Sequence, residues 1–199
     1  METLVQDIMQ TSWLEAIAAI TGILSIWLGK KENILVFPIG IISVLIYVYI
    51  CFNAKLYADM GINAVYFIMS VYGWYNWLRP HKESKTERLQ VTFQDRRHRW
   101  GSIAIAFALF VILSFILTRF TDSDVPLIDA FTSSLCVLAM YLTTQKKVEN
   151  WVYYLVADGI SIPLYIYKGL VLTSIQYLVF FLIAVAGLIA WRKEALKNA

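Results

Sequence analysis

Residues 55–77, KLYADMGINAVYFIMSVYGWYNW, and residues 169–191, GLVLTSIQYLVFFLIAVAGLIAW, align at a spacing of 114. Leu56 meets Leu170, Val65 meets Val179, Phe67 meets Phe181, Gly73 meets Gly187 and Trp77 meets Trp191. The same spacing pairs Glu15 with Asp129, Trp27 with Tyr141 and Leu28 with Leu142. Near the first turn the pairing is read as slipping to 116 and 117, which sets Lys30-Lys31 against Lys146-Lys147 and Glu32-Asn33 against Glu149-Asn150. Self-similarity at a fixed spacing marks a structural unit used twice. Each copy holds three apolar segments, so the chain reads as three helices, a linker helix and three more.

The composition agrees. Of 199 residues 59% are hydrophobic and 16% charged, with mean hydropathy +0.63, far more apolar than a soluble domain. The apolar segments are 13–29, 34–52, 60–78, 100–118, 127–144, 151–167 and 170–191. Each is long enough to cross roughly 30 Å of hydrocarbon at about 1.5 Å per residue, and single segments in lipid satisfy their backbone groups only as helices. The fold class is therefore all-α integral membrane, with seven transmembrane helices. A first three-helix repeat covers 13–78, a basic cytoplasmic loop 79–99, a linker transmembrane helix 100–118 and a second repeat 127–191. The links are short, which excludes a water-soluble catalytic domain within these residues.

Because one helix lies between the repeats, the two copies share the same orientation about an axis along the membrane normal, a transporter architecture. The links after spans one, three, five and seven hold 2, 7, 2 and 3 Lys or Arg, whereas the opposite side holds Lys55, Arg119 and Lys168. Positive loops stay cytoplasmic, so the N-terminus is expected outside and the C-terminus in the cytoplasm. The net charge of +3 belongs to a face near anionic lipid, with Arg96-Arg97-His98-Arg99 as a juxtamembrane anchor, and no nucleic-acid partner is expected. Glu2 and Asp7 precede the first apolar run without a basic region, so no cleavable signal is read. Cys51 and Cys136 lie on different spans without CxxC spacing and read as buried thiols. His81 and His98 fall in the loop without a ligand cluster, so no metal or cofactor is expected.

Span six carries a polar stripe. Trp151, Tyr154, Asp158, Ser161 and Tyr165 recur at helical spacing on one face. A carboxylate at mid-span is costly unless it faces protein or water, which makes Asp158 a functional candidate; the alternative is a packing acid held by hydroxyls of a neighbouring helix. Span three has a stripe of Asn63, Tyr66, Ser70, Gly73 or Trp74, and Trp77, whereas the matched face of span seven is mostly apolar. Gln176 stands there as either a helix-to-helix hydrogen bond or a ligand contact. Trp77 and Trp191 read as interfacial belt aromatics. Glu15 and Asp129 read as acids complementing helix N-termini at the outer surface, with attraction of cations to the entrance as the alternative. Pro38 with Gly40, and Gly159 with Pro163, interrupt the second helix of each half, as packing kinks or as hinges.

The run KKVENWVYYLVADGISIPLYIYKGL, residues 146–170, the YGWYNW ending of span three and the three-plus-one-plus-three repeat together resemble the Pnu family of bacterial vitamin transporters. The resemblance covers residues 13–193 and implies a SWEET-like fold, a homotrimer and facilitated diffusion of an unphosphorylated B vitamin, later trapped by a cytoplasmic kinase. The family's span-six motif is Trp, two residues, Trp, then Asn or Asp about four residues on. It stands here as Trp151, Tyr154 and Asp158, with Tyr in place of the second Trp. The nicotinamide riboside members match best, and a thiamine transporter is the alternative. Both vitamins are flat cations that one carboxylate and aromatic faces complement.

The expected substrate contacts are Trp151, Tyr154, Asp158, Asn63, Tyr66, Trp74 and Gln176, and the expected location is the bacterial inner membrane. No GxxxxGK phosphate loop occurs, so the chain itself does not hydrolyse ATP. An intramembrane enzyme would need a base beside a nucleophile, and Ser161 with Asp158 has no His or Lys nearby. A binding subunit of an ATP-driven importer is a further alternative.

Overall fold

The computed structural model describes residues 13–53, 57–80 and 89–198. Glu2, Asp7, Lys55, Leu56, His81 and the rest of 81–88 lie outside the described residues. Seven helices follow one another: α1 Trp13–Lys30, α2 Val36–Asn53, α3 Tyr57–Leu78, α4 Arg96–Phe120, α5 Pro126–Thr144, α6 Asn150–Tyr167 and α7 Val171–Asn198. α1, α2, α4, α5 and α7 are long and apolar enough to cross a membrane. α3 and α6 are of similar length but more polar, because they carry Asp59, Asn63, Ser70 and Asn76 on one helix and Asn150, Asp158 and Ser161 on the other.

Packing forms a closed circuit: α1 on α2, α2 on α3, α3 on α5, α5 on α6, α6 on α7, and α7 back on α1, with α4 against the outside of α5. Small hydroxyl residues let the backbones approach. Ser25 donates to the Val36 carbonyl at 2.7 Å, Ser43 to Ala18 at 2.7 Å and Ser174 to Ile162 at 2.9 Å. The outer surfaces of the helices stay apolar and exposed, as at Phe107, Ile112 and Phe115 of α4.

The turns after α1 and α5 share one hydrogen-bond pattern. Asn33 N–H reaches Leu28 O and Glu32 N–H reaches Gly29 O; Lys147 N–H reaches Leu142 O and Lys146 N–H reaches Thr143 O. Both are Schellman caps, with Glu32 at φ 53° and Lys146 at φ 50° in the left-handed position. The spacing of 114 thus holds through the turn, and Glu32 matches Lys146. The slip to 116 and 117 is corrected: similar letters at shifted positions outweighed the backbone register. Gly169 caps α6 at φ 76° in the same way.

Two further sequence expectations change. Pro38 is the third residue of α2, in the first turn where its missing N–H costs no helical bond, so it does not interrupt the helix; Pro163 does lie inside α6. Arg96, Arg97, His98 and Arg99 form the first turn of α4 and not a loop. His98 pairs with Asp95, and that contact holds the exposed Asp95 carboxyl below its usual range.

The stretch before α4 is an ordered strap. Thr92 N–H donates to Lys146 O and Val148 N–H to Thr92 O, both at 3.1 Å. The Glu149 carboxylate accepts from the Gln94 N–H and pairs with Arg99 at 3.3 Å. Val91 is fully buried beside this turn, in the core cluster that contains Trp77, Trp191 and Val148.

Close helix contacts require two glycines. A Cβ on Gly73 would lie 2.3 Å from Phe37 and 2.9 Å from Thr144, and one on Gly187 would lie 2.6 Å from Trp151. Gly73→Ala and Gly187→Ala are each expected to destabilise the protein by about 1–3 kcal/mol through overpacking. The check is the thermal unfolding midpoint in detergent, with Gly101→Ala, a helical position with open space around it, holding or slightly raising the midpoint.

Candidate functional site

The stripe of α6 faces inward. Trp151, Asp158 and Ser161 are buried, and Asp158 is only 4% exposed. No described residue gives its carboxylate a hydrogen bond or an ion pair. Its neighbours are the phenols of Tyr66 and Tyr154 and the thiol of Cys136, all close enough to sense its charge. Tyr66 lies beside Cys136, and Tyr154 donates to Met140 Sδ at 3.8 Å. An acid without a partner, ringed by aromatic hydroxyls, is suited to a cation.

Further aromatic contacts join α6 and α7. Tyr165 of α6 stacks on Tyr177 of α7 with centroids 5.0 Å apart and planes at 12°, and Tyr177 meets Phe180 edge-on at 5.8 Å. Gln176 lies beside Tyr47 of α2. Tyr47, Cys136 and Tyr177 were not among the expected site residues. Their signal was a Tyr or Cys within an apolar span, which does not say which face turns inward.

The other expected residues are placed as follows. Asn63 is half-buried and its amide donates to Asp59 O on its own helix at 2.9 Å. Trp74 is 37% exposed. Trp151 packs into the core on Gly187 and meets Trp191 edge-on at 5.5 Å, yet its buried Nε1 has no partner. Asp129, read as a helix-dipole acid, also forms an ion pair with Lys168 at 2.8 Å.

Trp77 and Trp191 are not surface belt residues. They are 8% and 0% exposed, because each indole N–H finds a carbonyl across the ring. Trp77 donates to Thr143 O and Trp191 to Gly29 O, both at 3.2 Å. These two bonds recur at the spacing of 114, as do the edge contacts Phe37 to Trp77 and Trp151 to Trp191. Among the described residues, an open pocket of about 590 Å³ is lined by Glu32, Lys146 and Val91 at the basic end, and an apolar groove of about 500 Å³ lies beside Gly159 and Pro163.

The sequence profile of the nicotinamide mononucleotide transporter family matches residues 12–193. The chain belongs to this family. Among curated proteins, this member of the nicotinamide mononucleotide transporter family is similar to the nicotinamide riboside transporter PnuC of Escherichia coli strain K12, with 26% identity over 92% of this chain and 87% of the relative. It is also similar to the riboflavin/roseoflavin transporter RibM of Streptomyces davaonensis, with 24% identity over 90% of this chain and 84% of the relative. The crystal structure of the vitamin B3 transporter PnuC superposes with a TM-score of 0.76 at 24% identity, covering 99% of this chain and 88% of that one, so the fold is shared. The family read from residues 146–170 and from YGWYNW is the one found.

Proposed function

We propose that this chain takes up nicotinamide riboside by facilitated diffusion, with alternating access to a site built on Asp158, Tyr66, Tyr154 and Trp151. The observation that carries the reading is the buried carboxylate of Asp158 without an internal partner. A pyridinium supplies the missing positive charge and offers a flat face to the phenols. Trp151 Nε1, unpaired and buried, and Gln176 are donors for the carboxamide or ribose. Asn63 and Trp74 join the proposed contacts on the sequence alone. The Escherichia coli relative is named for nicotinamide riboside, which supports this vitamin. Thiamine, also a flat cation, is the second reading, favoured by the same carboxylate. Riboflavin, named for the Streptomyces relative, is neutral and gains less from Asp158.

The bonds that recur at a spacing of 114 support a SWEET-like 3+1+3 arrangement in which α1–α3 and α5–α7 are parallel halves and α4 is the linker. All seven helices then cross a bacterial inner membrane, with the basic end in the cytoplasm and the N-terminus outside. The homotrimer and trapping by a cytoplasmic kinase follow from the family resemblance. α3 and α6 contain no Lys or Arg, so a phosphate group would find no cationic partner on the helices that carry the site. The test is counterflow in liposomes holding only this protein. Labelled nicotinamide riboside should exchange and nicotinamide mononucleotide should not. An absence of vitamin exchange would return the chain to a bare binding subunit or to another substrate.

A further inference from the structure

At the basic end, Glu32 and Lys146 meet across the ring at 2.9 Å, with side chains 29% and 12% exposed. Of the ion pairs seen between described residues, this one joins the two triplets; Lys168 to Asp129 lies within the second triplet, and the others involve α4 or a single helix. The two residues occupy the same position of the two matching turns. Both hold the left-handed conformation that glycine adopts without strain, and yet both are long, charged side chains. Two copies of one charged residue facing each other across an axis would repel. Glu on one side and Lys on the other attract.

Lys146 also lies 4.5 Å over the Trp77 ring. Trp77 contacts Trp191 at 6.3 Å, Trp191 contacts Trp151 at 5.5 Å and Trp151 contacts Tyr154 at 6.2 Å. A row of touching side chains therefore runs from Lys146, which lines the 590 Å³ pocket with Glu32, to Tyr154 beside Asp158. The strap fixes the Lys146 side of the pair, since Thr92 N–H is bonded to its carbonyl. Separation of the first-triplet turn from the second breaks the ion pair and the two crossed indole bonds together.

We propose that Glu32 and Lys146 form an ionic latch that keeps the basic end of the path shut, with the Trp77 and Trp191 indole bonds as its second layer. This rests on the alternating-access reading above and adds the group that sets the balance between its states. Neutralising one partner shifts the population toward the form open at the basic end.

Cys136 reports that opening. It lies about 10 Å deeper along α5 than Thr143 at 1.5 Å per residue, and Cys51→Ala leaves it the single thiol of the chain. In vesicles with the basic end accessible, a membrane-impermeant thiosulfonate should modify Cys136 slowly in the Cys51→Ala parent. Modification should be roughly tenfold faster after Glu32→Gln or Lys146→Gln, a modest population shift. The reciprocal swap, Glu32→Lys with Lys146→Glu, should return the rate to near that of the parent. Unchanged rates in both single variants, or a swap as fast as they are, would overturn the latch. Titration of the parent with nicotinamide riboside is run alongside: retained binding with unchanged rates removes the latch alone, whereas absent binding removes the transport reading whatever the rates show.

Discussion

Asp158→Asn should weaken nicotinamide riboside binding by roughly 30- to 150-fold, the factor that corresponds to about 2–3 kcal/mol for a lost charged contact in a dehydrated site. The vitamin-free protein should hold or raise its thermal midpoint, because the change removes a buried charge that has no internal partner. This pair of effects distinguishes a binding acid from a packing acid. A carboxylate satisfied by hydroxyls of the neighbouring helices would behave in the opposite way, with affinity unchanged and the empty protein destabilised. A further comparison isolates the charge: dihydronicotinamide riboside, which is neutral, should bind the parent and Asp158→Asn within a few fold of each other. Isothermal titration calorimetry and thermal unfolding in the same detergent make the test, and equal affinity of both proteins for the cationic vitamin would end the proposed role of Asp158.

The helices were legible because the charges cluster between apolar runs. Segment 13–29 becomes α1 Trp13–Lys30, and 151–167 becomes α6 Asn150–Tyr167. The ends were less so: α4 starts at Arg96 and α7 runs on to Asn198, since helical propensity continues past the apolar stretch into basic residues. The inward face of α6 could be read from one polar stripe because Asp158 and Ser161 are excluded from lipid. The partners across the ring could not, because a lone Tyr47 or Tyr177 has the same sequence context whether it faces lipid or interior. Trp77 and Trp191 were misread for a related reason. Aromatics beside a basic link match both a membrane interface and a buried pair, and only the carbonyls of Gly29 and Thr143, far away in sequence, decide between them.

Trp191→Ala is expected to have the largest effect on stability. The side chain is fully buried, packs on Trp151 and Trp77, and bonds to Gly29 O, so truncation should cost about 3–5 kcal/mol. That is a large share of the total stability of an ordinary domain, roughly 5–15 kcal/mol, and little folded protein should be recovered. Trp191→Phe separates the two contributions by keeping most of the ring and deleting the N–H. It should cost about 1 kcal/mol for the hydrogen bond, because Gly29 O still accepts from the Glu32 N–H. Trp77→Phe removes the matching bond to Thr143 O, which likewise keeps a donor in the Lys146 N–H, and should cost a similar amount. The double Phe variant should deviate from additivity, since the two indoles touch at 6.3 Å and share the boundary between the triplets. Thermal unfolding of the four variants against the parent decides the matter: near-neutral Phe variants and a mild Trp191→Ala would place these rings at a lipid interface, and the crossed bonds that join the triplets would lose their energetic role.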